Sequence, residues 1–234
     1  MNSIFNPYTL NIFTDASVKK VNYETISCSG AVVEYNTQIL ETDYMVNRYS
    51  TNNDGEIKAI YLGVLKAIKY RNLMPEVSRI NLYSDSLICV RALREWIWGW
   101  VNNINGIRMY NSSGDMVKNQ DMIMEVIRLI VSNNLSLNIL HIKGHVNEKN
   151  MKSNDKHSIV YARDSYKKIN GLDISIDTIT SLCRYNNIVD KITRPPLDAI
   201  NYNDKKCEYP FMYDPRGLNL DTYESLINKN RRLV

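Results

Sequence analysis

Along "YTLNIFTDAS" apolar and polar residues alternate, the period of a β-strand with two unlike faces, and the run ends at Asp15. "ISCSGAVVEYN" and "TQILETDYMV" behave alike on either side of a short polar turn at Asn36, so three consecutive strands in an antiparallel meander are expected. The period then changes. In "STNNDGEIKAIYLGVLKAIKY" the apolar positions Ile57, Ile60, Tyr61, Val64, Leu65 and Ile68 fall at helical spacing, which predicts a helix capped by Asn52 or Asn53. "SRINLYSDS" returns to a strand and ends at Asp85. "LICVRALREWIWGW" predicts a helix dense in tryptophan, "NNINGIRMYNSSGD" a loop, and "QDMIMEVIRLIVSNN" a further helix. "LSLNILHIKGHV" supplies a fifth strand ending at His145, and a polar stretch from Asn147 to Asn154 leads to a helix over "HSIVYARDSYKKI". The order βββαβααβα describes an α/β domain of one five-stranded mixed sheet with helices packed on it.

From Gly171 the pattern loosens. Prolines gather at Pro195, Pro196, Pro210 and Pro215, and "TRPPLDAINYNDKKCEYPFMYDPRG" keeps no sustained period. Its Tyr, Phe, Leu and Ile content still predicts packing. We therefore divide the chain into a domain over residues 1–170 and a C-terminal extension over 171–234 that lies partly on that domain.

Composition narrows the classes without choosing among them. The chain has 234 residues, 44% of them hydrophobic, enough for one good core. No apolar run approaches the roughly 20 residues that span a bilayer, and "MNSIFNPYTLN" has neither the basic start nor the apolar core of a signal peptide. An intracellular, cytoplasmic monomer with no membrane partner is expected. Cys28, Cys89, Cys183 and Cys207 stand far apart with no C-x-x-C pair, which suggests reduced structural thiols rather than zinc ligands or a disulfide framework. The net charge of +4 is uneven: 20 Lys and Arg against 16 Asp and Glu up to residue 170, and nine against nine afterwards. That is compatible with a polyanionic partner. The abundance of Asn, Ile and Lys suggests an AT-rich genome, a viral one among the possibilities.

The acids carry the chemistry. Asp15 and Asp85 end two strands and Glu56 begins the first helix, positions where a rigid sheet presents side chains to open loops. If the two strands are neighbours, the three carboxylates meet, and they repel one another unless a cation lies between them. Oxygen-only ligands favour a hard divalent ion, Mg²⁺ or Mn²⁺. Two such ions suit phosphodiester hydrolysis, one activating the attacking water and one stabilising the leaving 3′ oxygen. Each acid alone has a plainer reading, as a turn, cap or helix-dipole residue.

"FTDAS", "STNNDGEIKAI", "YSDSLICVRALREWIWGW", "KNQDMIMEVI" and "LHIKGHV" follow one another in the order of the motifs of type 1 ribonuclease H. Over residues 8 to 170 the chain resembles that family, whose members cut the RNA strand of an RNA·DNA hybrid. The resemblance implies the ribonuclease H-like sheet with helices on both faces, two Mg²⁺ ions with Mn²⁺ as a substitute, and 5′-phosphate products. It implies Asp15, Glu56 and Asp85 as catalytic metal ligands and His145, in "KGH", as the histidine that assists proton movement or product release. For the fourth acid, "DKHSIVYARDSYKKI" favours Asp164 over Asp155, although it departs from the family's spacing.

Substrate contacts are also implied. Asn52 and Asn53 resemble readers of the RNA strand through the 2′-hydroxyl, and Thr51 and Asn119 match positions that grip a phosphate of the DNA strand. Trp96, Trp98 and Trp100 occupy the segment some relatives use as a hybrid-binding handle. A spacing of two cannot put all three on one helical face, so at least one is expected in the core and Trp96 or Trp100 on the DNA strand. "VNNING" lacks the basic cluster that some relatives have there, and Leu87 replaces a frequent glutamine, so hybrid affinity is expected to be modest unless Lys205, Lys206, Arg231 or Arg232 adds contacts. The alternative reading is a catalytically weak or inactive module that binds hybrids or proteins. Retention of all three acids favours the enzyme.

Overall fold

The computed structural model describes residues 4–21, 24–48, 50–198 and 215–228. Its centre is a five-stranded sheet in the order β3-β2-β1-β4-β7. The strands are β1 (Thr9–Val21), β2 (Glu24–Tyr35), β3 (Gln38–Asn47), β4 (Arg79–Ser84) and, after a short hairpin of β5 (Ile104–Asn105) and β6 (Arg108–Met109), β7 (Asn138–His141). The first three pair antiparallel as a meander; β1 with β4 and β4 with β7 pair parallel.

The alternation in β1 assigns its two faces. Leu10 and Ile12 join Ile57, Ile60 and Val64 of α1 (Asn52–Leu73) and Ile123, Val126, Ile127 and Ile130 of α4 (Gln120–Ser132) in one core. Phe13 belongs to a second core with Ile159 and Ala162 of α5 (Ile159–Asn170) and Ile179, Leu182 and Val189 of α6 (Ile176–Asp198). Helices thus cover both faces, as the βββαβααβα order implies. A Cβ on Gly63 would lie 2.7 Å from Thr14 Cγ2, so the glycine is what lets α1 approach the sheet this closely.

A polar ladder runs through the second face. Asn138 donates to Asn81 at 2.8 Å, Asn81 to Asn11 at 2.9 Å, and Asn11 to Glu34 at 2.7 Å. These four residues are direct cross-strand neighbours on β7, β4, β1 and β2. A one-residue slip of any strand would break the chain of bonds and leave buried amides unpaired.

Several expectations need revision. The N-cap of α1 is Thr51, whose hydroxyl accepts from the Asp54 amide at 3.2 Å, rather than Asn52 or Asn53. The tryptophan-rich helix is three pieces: α2 (Leu87–Arg91), a π-helical turn (Ala92–Trp96) and α3 (Ile97–Trp100). After Gly171 the chain forms α6 and, beyond residue 214, a 3-10 turn (Pro215–Gly217) and α7 (Leu220–Asn228). Pro195 and Pro196 lie inside α6. Lys205, Lys206, Cys207, Pro210, Arg231 and Arg232 lie outside the described residues. No helix among those described is long and apolar enough to cross a membrane.

Candidate active site

The parallel ladder between β1 and β4 ends at Thr14 opposite Ser84. Asp15 and Asp85 are therefore the first residues past the last rung, side by side where the strands part. Glu56 reaches the same point from α1, one turn in from its N-terminus. Oxygens of Asp15, Glu56 and Asp85 all lie within 4.8 Å of one another.

The protein holds Asp85 from three directions. The His141 ring meets its backbone carbonyl at 3.1 Å through Nε2. Gly144 leaves no room for a side chain, because a Cβ there would stand 2.0 Å from an Asp85 carboxylate oxygen. From α6, the buried Asn186 side chain hydrogen-bonds the carboxylate. Asp15 accepts from the Ala16 amide at 2.7 Å. Oε2 of Glu56 is buried with no hydrogen-bond partner.

Burial pushes the Asp15 carboxyl up to about 8, with Asp85 adding to the rise. Glu56 is driven well above the carboxylate range by burial and then by Asp15 and Asp85, and Asp85 itself is raised chiefly by burial. Three such acids ionise together only if positive charge is supplied. The orphaned Glu56 oxygen and the all-oxygen donor set fit a hard divalent cation.

The cleft around the three acids is lined also by Ala16, Val18, Lys20, Thr25, Asn52, His145 and Asp190. His145 is exposed in a left-handed conformation, φ 53°, and its carbonyl meets His157 Nδ1 at 3.0 Å. Asp164 is elsewhere: it is exposed on α5, paired with Arg163 at 2.9 Å, and does not line the cleft. Asp155 does not line it either, because its carboxylate caps a loop through Asn150 at 2.7 Å and the His157 amide at 2.8 Å.

Asp190 is the acid that sequence reading missed. It sits on α6, close enough to raise both Asp15 and Asp85, and its carboxylate is held by Arg194 at 2.7 and 2.9 Å. A Cβ on Gly30 would lie 2.6 Å from Thr193 Cγ2, so the bare backbone of β2 lets α6 settle close to Asp15. The available signal was the stripe Ile179, Leu182, Cys183, Val189, broken by the buried polar residues Asn186 and Thr193. Of the expected substrate contacts, only Asn52 lines the cleft. Thr51 and Asn53 are exposed beside it in sequence, Asn119 precedes α4 at φ 56° without capping it, and Trp96 is exposed on the π turn.

Over residues 7–158 the chain matches the family model described as RNase H. Ribonuclease HI of Haemophilus influenzae is 30% identical over 145 residues, 61% of this chain and 82% of that protein. Ribonuclease H of another strain of the species is 30% identical over 142 residues, 60% and 80% of the two chains. Among solved structures, the foamy viral protease-reverse transcriptase in complex with RNA/DNA hybrid aligns with a TM-score of 0.52 at 15% identity, over 80% of this chain and 20% of that one. This chain spans about a fifth of that protein, and the likeness is one of fold. Both α5 and α6 lie beyond the residues matched to the family model.

Proposed function

This chain belongs to the ribonuclease H family and is a ribonuclease H enzyme, and from that premise we propose that it cuts the RNA strand of RNA·DNA hybrids by a two-metal mechanism, leaving 5′-phosphate and 3′-hydroxyl ends. The observation that carries the reading is the set of three carboxylates within 4.8 Å, Asp15 buried and Glu56 and Asp85 half-buried, with one Glu56 oxygen buried and unpartnered. Asp15, Glu56 and Asp85 would hold Mg²⁺, or Mn²⁺ in its place, and Asp190 would complete the set in preference to Asp164 or Asp155. When bound, such ions activate the attacking water and stabilise charge on the leaving oxygen.

The remaining groups position, discriminate and move protons. Asn186 and His141 fix the carboxylate and the backbone of Asp85, so its oxygens need little reorganisation. Arg194 balances Asp190 and would have to release it for Asp190 to help hold a cation. His145, exposed at the cleft edge, takes or gives the proton that moves with the leaving group, or speeds product release. His145→Ala should accordingly slow turnover without abolishing it.

Asn52 lines the cleft and carries an amide that can donate to and accept from a 2′-hydroxyl, the group that distinguishes RNA from DNA. Thr51, Asn53 and Asn119 are exposed or partly exposed polar groups available to the two backbones, and the exposed Trp96, its ring 6.0 Å from that of Trp100, offers an apolar face to the DNA strand. Contacts of this kind set register without reading bases, so cleavage should be nearly sequence-independent.

The test is a substrate panel in Mg²⁺ and in Mn²⁺: labelled RNA·DNA hybrid, single-stranded RNA, duplex RNA and duplex DNA. Cutting confined to the RNA of the hybrid, with 5′-phosphate ends, is expected. Equal cutting of duplex DNA, or none of any substrate, would overturn the proposal.

A further inference from the structure

The C-terminal helix α7 lies beyond the family match, yet it is built into the molecule. Tyr223 is fully buried, and Leu226 and Ile227 join it in the core that holds Leu93 and Ile97. The Tyr223 hydroxyl donates to the Leu93 carbonyl at 3.0 Å, and the Ser136 hydroxyl donates to the Leu226 carbonyl at 3.4 Å.

Leu93 is inside the π-helical turn Ala92–Trp96. A π turn carries one residue more than an α turn, which displaces a carbonyl from the regular ladder and rotates everything after it by about 100°. A buried carbonyl displaced in this way needs another donor, and Tyr223 is placed to be that donor. The same ring lies against Trp98, centroids 5.8 Å apart, while the Trp98 indole nitrogen donates to the Arg94 carbonyl at 2.9 Å.

Trp98 is turned inward against α7; of the other two, Trp100 is half-buried on the same core and Trp96 is exposed. Their rings are 6.0 Å apart, and Trp96 is 37% exposed. The segment that carries it leaves the cleft directly, because α2 begins two residues after Asp85.

We propose that α7 is a brace for substrate binding: Tyr223 is a positioning residue that holds the π turn and so aims Trp96 at the deoxyribose rings of the DNA strand. This rests on the reading of the cleft as a hybrid-cutting site. Deoxyribose suits Trp96 because its C2′ carries no hydroxyl, which leaves an apolar surface for an indole face.

The test compares wild type, Tyr223→Phe, Trp98→Phe and Trp96→Ala. Hybrid binding is measured with each in an Asp15→Asn background, kcat and KM in the cutting enzyme, and melting temperature throughout. Tyr223→Phe keeps the ring and removes one hydrogen bond, so Kd and KM should rise about three- to tenfold with kcat at saturation within about twofold. Combined with Trp96→Ala it should add little to the loss from Trp96→Ala alone. Trp98→Phe, which loosens the brace from the other side, should shift Kd in the same direction. A role confined to stability would lower the melting temperature and leave Kd and KM unchanged, and that result overturns the brace alone. If Trp96→Ala leaves Kd unchanged, Trp96 is not a contact and the brace falls with it. If Asp15→Asn alone binds hybrid no better than duplex DNA, the hybrid reading and the brace fall together.

Discussion

Asp85 is held by contacts that single substitutions can remove one at a time. Gly144→Ala puts a methyl group where a carboxylate oxygen now stands, 2.0 Å from the added carbon, so Asp85 must turn away. Activity should drop at least about a hundredfold, because catalytic geometry tolerates only about an ångström. The fold should survive, as judged by an unchanged far-ultraviolet dichroism spectrum; near-normal activity would show that Asp85 need not be where it is. Asp15→Asn and Asp85→Asn should abolish cutting while leaving hybrid binding, since each removes a ligand charge at nearly constant volume. Asp15, Glu56, Asp85 and His145 are legible in the sequence because each sits where the pattern changes from apolar to polar, although β1 runs on past Asp15 to Val21 and β7 stops at His141, short of His145. Asp190 was not legible in that way. It lies in mid-helix, and nothing local distinguishes it from a solvated acid such as Asp164.

At the level of elements, the meander, α1, α4 and the parallel strands follow from period alone. Where period fails, a polar residue is buried or the helix is irregular. Asn186 and Thr193 interrupt the stripe of α6, and Pro195 and Pro196 sit in its last turns, where a sequence reader expects a break. The π turn is equally invisible, and the hydroxyl that meets its Leu93 carbonyl comes from Tyr223, 130 residues away. The asparagine ladder offers a stability prediction. Asn81→Ala leaves the Asn11 carbonyl oxygen and the Asn138 amide without their partner, which should destabilise by about 1–3 kcal/mol for each stranded buried group. Urea denaturation reads this directly, and an unchanged midpoint would show that the ladder adds nothing to register or stability.

For the whole molecule, the acid cluster couples stability to pH and to metal. Asp15, pushed up to about 8, and Glu56, raised well above its ordinary value, bind more protons in the folded than in the unfolded chain. Stability of the metal-free protein must therefore fall as pH rises toward the folded values. His141 acts oppositely but lower down: burial depresses it to about 4 from 6.5, so its contribution rises with pH only across that interval. The clean window lies at about pH 6.5–8. In it the melting temperature measured in EDTA should fall with pH, whereas saturating Mg²⁺ should flatten or reverse the slope by favouring the ionised acids. Identical slopes with and without Mg²⁺ would dissociate the cluster from metal binding.

Asp190, not Asp164, is the proposed fourth acid of the cleft, and the most direct measurement of this is cleavage of an RNA·DNA hybrid in Mg²⁺ by wild type, Asp190→Asn and Asp164→Asn. Wild type and Asp164→Asn should cut at comparable rates, and Asp190→Asn should be slower by at least about a hundredfold. Full activity of Asp190→Asn together with loss in Asp164→Asn would contradict the assignment of the site.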